Sequence, residues 1–235
     1  MHAPKRRGRS ESQHRVGRLL RNNGLSLALF ALFALSMTGQ IVSGLSSYND
    51  ERRDHGRPTV TLARYLRTGH FLEATFENWE SEFLQMGLFV VLTIHLRQRG
   101  SSESKKIDGR SESDQDPRQH RHDAQAPWPV RRGGIALALY EHSLSIALLA
   151  LFVVSFALHA VGGLAHSNEI ALEHGHPIKT LLGFVSSSEF WFQSFQNWQS
   201  EFLSVFALVI LSIFLRQRGS PQSKPVAAPH RETEG

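Results

Sequence analysis

The sequence predicts an all-α membrane protein with four transmembrane helices, formed by two tandem helical hairpins in a parallel internal repeat. Three observations predict it. Two 21-residue segments hold no Asp, Glu, Lys or Arg, two shorter apolar runs are bracketed by tryptophan and arginine, and the chain matches itself at an offset of 119 residues. Between these segments the 235-residue chain is rich in Arg, Lys, Ser, Gln and Pro and carries a net charge of +5. Basic residues beside apolar runs read as orientation signals and contacts for anionic headgroups. No cysteine is present, which excludes disulfides, thiolate metal sites and thiol catalysis.

Residues 1–24 form a basic N-terminal stretch, and the first hairpin occupies 25–99. Its opening span, Leu25–Leu45, is long enough for a hydrocarbon core of about 30 Å. A cleaved signal peptide is rejected, because the apolar stretch is too long and a near-copy lies mid-chain. The helix is expected to run on through YNDERRDH and stop at Gly56, with Pro58 beyond it. A short amphipathic stretch follows (Leu62, Tyr65, Leu66), then a break at Thr68-Gly69. The next apolar run, Phe83–Leu96, has only 14 residues, but Trp79 and Arg97 flank it as interface anchors. Eighteen helical rises separate that pair, about 27 Å, which suits a bilayer.

Residues 100–132 form a linker whose section 101–126 is nearly devoid of apolar side chains and is expected to be disordered. The second hairpin, 133–218, repeats the first, with spans at Leu144–Leu164 and Phe202–Leu215 and anchors Trp198 and Arg216. In it, Ser186-x-x-Glu189 fits a capping box before FWFQSFQNW. That stretch is expected along the outer headgroups, with Phe71, Phe76, Phe190, Trp191 and Phe195 at the interface. Residues 219–235 form a tail.

At the 119 offset, His55-Gly56-Arg57-Pro58 meets His174-Gly175-His176-Pro177, and NWESEFL meets NWQSEFL. Two spans per unit give both units the same orientation. Lys and Arg number seven in the N-terminus, nine from Arg97 through the linker and four from Arg216 through the tail, against five and one between the spans of each hairpin. The positive-inside rule therefore puts both termini and the linker in the cytoplasm.

The paired NWxSEF and LRQRGS blocks and the joining PWPVRRGG at 127–134 give the chain its family likeness. It resembles a family of small bacterial membrane proteins catalogued as a domain of unknown function. The resemblance implies a bacterial inner-membrane location and brings no activity or catalytic residue with it.

On the first span of each hairpin, Ser36, Gln40 and Gly44 recur as Ser155, His159 and Gly163, at i, i+4 and i+8. That spacing lines one face with small and polar groups, suited to helix packing in lipid. Glu82 recurs as Glu201, whereas Glu73, Glu77 and Glu80 become Phe192, Gln196 and Gln199 and are set aside. Counting rises from Leu45 and Trp79, Gln40 lies about 7.5 Å and Glu82 about 4.5 Å inside the outer edge. Gln40 is therefore expected to meet Glu82, and His159 to meet Glu201. No nucleotide-binding loop, nucleophile elbow or zinc-type histidine spacing is present, so neither an enzyme, a metal site nor a cofactor is expected. The basic tails lack stacking aromatics, which argues against nucleic acid. The expected partners are the lipid bilayer and either a second copy or another membrane protein. The function expected is structural or accessory; the alternative is a small proton- or cation-handling carrier using Glu82 and Glu201.

Overall fold

The computed structural model describes residues 7–109 and 111–233, without the side chains of 7–16 and 112. Residues 1–6 of the basic stretch, Arg110 of the linker, and Glu234 and Gly235 of the tail lie outside them. The described residues are helical, with loops and turns but no strand. The chain divides into two compact units, Met1–Arg67 and Thr68–Gly235.

In the first unit, helix α1 (Arg7–Asp54) draws the basic lead-in and the first apolar segment into 48 residues, kinked at Asn23 (φ −129°, ψ 16°). It closes where Gly56 takes φ 68° and the Arg57 N–H reaches back to the Arg52 carbonyl at 2.7 Å. This is the wrapped C-terminal turn that a left-handed glycine permits. Asn49 then clasps the returning chain, since its side chain donates to the Val60 carbonyl (3.1 Å) and accepts from the Val60 N–H (2.7 Å). The clasp docks α2 (Leu62–Tyr65), whose Tyr65 is buried against Tyr48 and over Gly44.

The second unit begins with α3 (Gly69–His95), capped by the Thr68 hydroxyl, which accepts from the Phe71 N–H at 3.3 Å. Residues 101–126, expected to be disordered, carry two single 3-10 turns, Glu112–Asp114 and Pro117–His120. Helices α4 (Trp128–Arg132) and α5 (Gly134–Glu141) lead to α6 (Ser143–Glu173), which starts at a break on His142 (φ −113°, ψ 7°). After α7 (Leu181–Val185), the chain ends in α8 (Ser188–Phe214) and its loop-like tail.

Two expectations are corrected here. The cap of α8 is Ser187, whose hydroxyl accepts from the Phe190 N–H; Ser186 is spent ending α7, and Glu189 pairs with Lys179. FWFQSFQNW is therefore no separate interfacial stretch but the opening turns of α8, and its Phe190 is fully buried. The helix registers explain this: a cap at Ser187 starts a 27-residue helix without interruption.

Helices α3 and α6 run antiparallel and touch backbone to backbone. A Cβ built on Gly69 falls 2.6 Å from the Gly162 carbonyl oxygen, and one on Gly162 falls 2.6 Å from the Glu73 nitrogen. Small residues permit this approach where dispersion and hydrogen bonding must hold helices together. Among the described residues, three helical segments are long and apolar enough to cross a membrane: Gly17–Asp54 within α1, α6 and α8. Helix α3 equals α8 in length, but its first half carries Glu73, Glu77, Glu80 and Glu82, which lower its apolar character.

Candidate functional site: a buried carboxylate and imidazole cluster

The acids of α3 at 73, 77 and 80 follow i, i+4 and i+7, so they line one helical stripe. That stripe turns inward, against α6 and α8. Glu80 is fully buried and its two oxygens are both engaged: Oε2 faces His159 Nδ1 at 3.0 Å, and Oε1 accepts from the Ser194 hydroxyl at 2.9 Å. The other ring nitrogen of His159, Nε2, faces Gln193 Oε1 at 3.3 Å. Gln193 turns its amide nitrogen to Glu73, donating to Oε1 at 2.8 Å, and this contact fixes which way the amide points. Glu73 also faces His166 on α6 across 3.9 Å. One turn further along, Asn197 donates to Glu77 at 2.6 Å.

The cluster sits against an aromatic wall. Phe190 stacks on the His159 ring at 4.8 Å and meets Phe156 and Phe184 edge-on at 5.2 and 5.5 Å. Water is displaced on that side, which strengthens each polar contact and raises the penalty for leaving one unmade. Gly163 lets Phe184 close on α6, for a Cβ there falls 2.7 Å from the Phe184 ring and 3.2 Å from Glu73 Oε1. The cluster thus ties α3 to α8 in parallel and to α6 in antiparallel register.

Of the residues singled out by sequence, Ser155, His159 and Gly163 are buried on α6. Ser36 is exposed, whereas Gln40 and Gly44 are half-buried. His159 is held by Glu80 on α3 and Gln193 on α8, and these contacts replace the one expected with Glu201. Glu82 is exposed and Glu201 half-buried. Trp79 and Trp198 are half-buried, Trp198 within an aromatic group of Phe152, Trp191 and Phe195. Arg97 and Arg216 close their helices: Nη1 of Arg97 donates to the carbonyls of Ile94 and Leu96, and Nη1 of Arg216 to those of Ser212, Ile213 and Leu215. Orphan carbonyls at a helix C-terminus need such donors.

Sequence reasoning missed Glu73, Glu77, Glu80, Gln193, Ser194 and Asn197. The signal was there, in the stripe spacing of the three acids. Among the described residues, no three His, Asp or Glu side chains gather in a metal-binding arrangement.

Residues 16–235 match the model of the family described as Domain of unknown function (DUF6766), and the chain belongs to that family. No curated protein and no solved structure matches it.

Proposed function

We propose that this chain is a four-span protein of the bacterial inner membrane, a tandem repeat of one hairpin with both termini cytoplasmic, whose role is structural or accessory. Local geometry recurring at the 119 offset supports the repeat. The Asn49–Val60 clasp recurs as Asn168–Lys179 with the same pair of bonds, at 3.0 and 2.7 Å. The kink at Asn23 recurs as the break at His142, and the bounds of α3 recur as those of α8. Treating α3 as a span follows from that equivalence.

One observation carries the accessory reading: the buried acids of α3 are matched by partners within the chain. A His–Glu pair removed from water needs its remaining polar valences met, and Ser194 and Gln193 meet them. Such a cluster fixes which helices pack together and in which register. The carrier reading, moved from Glu82 and Glu201 to the observed cluster, draws support from the run His166, Glu73, Gln193, His159, Glu80. Gln193 interrupts it, because an amide offers hydrogen bonds but no readily titrated proton. The cluster is a lock before it is a wire.

Purified protein in liposomes with an internal pH dye tests the choice. The accessory reading expects no proton or alkali-cation flux above that of empty liposomes. A flux abolished by Glu80→Gln in correctly inserted protein would overturn it in favour of the carrier.

A further inference from the structure

Below the contacts of Glu73, Glu77 and Glu80, helices α3 and α8 leave a cleft of about 400 Å³, open on one side. Its walls are apolar, chiefly Phe89, Leu92, Val205 and Val209, and its mouth is polar, with Arg97 and Gln98. We propose that this cleft seats one anionic phospholipid, an acyl chain lying between α3 and α8 and the phosphate resting at Arg97. The proposal rests on the membrane reading above, which makes 97–104 the cytoplasmic headgroup level.

Charge complementarity argues for an anionic lipid. Arg97 and Arg216 occupy the same place in their LRQRGS blocks, yet their guanidinium groups are used differently. Both commit Nη1 to helix carbonyls, but Nη2 of Arg216 is also taken by the Ala228 carbonyl and lies 3.5 Å from His230 Nδ1. Arg97 has no such second partner among the described residues, so Nη2 and Nε remain to meet a phosphate in the paired geometry a guanidinium offers. The nearby acids are Glu103, half-buried with a carboxyl that burial pushes above the ordinary value, and Asp114, which pairs with Lys105. Gln98 and Ser104 hold the mouth in shape, the Ser104 hydroxyl accepting from the Gln98 N–H at 2.8 Å. Basic pockets between helices on the cytoplasmic side are places where anionic headgroups bind.

The test uses the full chain in mild detergent, titrated with phosphatidylglycerol or phosphatidylcholine of identical acyl chains, read by thermal unfolding and by native mass spectrometry. Phosphatidylglycerol is expected to bind about fivefold more tightly, as one arginine near an anionic surface provides. Arg97→Gln should remove that preference, Arg97→Lys should keep most of it, and Val205→Trp should weaken both lipids by filling the cleft. Helical circular dichroism and resistance to alkaline extraction from membranes are measured on each variant. Equal binding of the two lipids by the native protein, or an undiminished preference in Arg97→Gln, overturns the site while the membrane reading stands. Release of the native protein by alkaline extraction overturns the membrane reading itself.

Discussion

Replacing Glu80 by leucine removes the group on which the buried cluster turns. Glu80 is fully buried and holds His159 at 3.0 Å and Ser194 at 2.9 Å, so the substitution strands an imidazole nitrogen and a hydroxyl away from water. Breaking one side of a buried pair costs about 3–5 kcal/mol. For a chain of this size that lowers the melting temperature by roughly 6–20 °C. Leucine at His159 removes the same contact from the other side. The double variant should then be more stable than the sum of the single losses predicts, by about 0.5–3 kcal/mol, because the shared contact is counted once. Glu82→Leu, two residues along the same helix and exposed, should stay within about 0.5 kcal/mol of the native protein. Thermal unfolding in one detergent, followed by circular dichroism, measures the native protein and the four variants together. Equal losses for Glu80→Leu and Glu82→Leu, or strict additivity of Glu80→Leu and His159→Leu, would refute the lock.

Alanine at Gly69 or Gly162 must push α3 and α6 apart and should destabilise by about 1–3 kcal/mol, as overpacking does; a gain in melting temperature for either would deny the close approach. Reporter fusions after Gly100 should read cytoplasmic and an insertion near Gly56 exported, following the basic asymmetry; an exported Gly100 fusion would mean that α3 does not span. Protease added to inverted vesicles should cut within 101–126, and the fragments should stay together in detergent because α3 packs on both α6 and α8; immediate separation would argue for independent hairpins. The Lys105 ammonium and the Ser111 N–H hold the Asp114 carboxyl below its usual range. A depressed carboxylate stabilises its turn above the unfolded value near 3.9, and that contribution fades as pH falls towards the folded value. Carbon NMR should therefore find Asp114 titrating below ordinary aspartates, and Lys105→Ala should raise its midpoint; an unmoved midpoint would exclude the pair.

The helices were legible in the sequence because their signals are local. Leu25–Leu45 and Leu144–Leu164 announce themselves by length, and Gly56 and Gly175 by their place after the last helical turn. The start of α8 was misplaced by one residue, since Ser186 and Ser187 both suit a cap and only the end of α7 decides between them. The cluster was illegible for a different reason. Filtering the halves for shared residues retained Glu82 and Glu201 and discarded Glu73, Glu77 and Glu80. Those discarded acids are the ones that α6 and α8 engage.

On the proposed tandem repeat, that outcome follows from what a contact between copies requires. When two like helices such as α3 and α8 face each other in parallel, a carboxylate kept at the same place in both would oppose its own kind, and like charges near each other are penalised. Pairing needs a donor on one copy and an acceptor on the other. The sequence supplies this by divergence: Glu73 and Glu77 on α3 meet Gln193 and Asn197 on α8, while the equivalents Phe192 and Gln196 carry no charge. His159 against Glu80 extends the rule to α6, where the equivalent of the histidine is the neutral Gln40. Where a duplicated hairpin packs against its own copy, the positions at which the copies differ in charge are therefore the first place to look for the interface. Exchanging partners tests this directly. Glu77→Asn with Asn197→Glu restores a donor–acceptor pair with its direction reversed, whereas Asn197→Glu alone opposes two carboxylates. The single change should destabilise and the exchange should recover at least half of the loss; an exchange no better than the single change would show that register is set elsewhere, by the glycine contacts of α3 and α6.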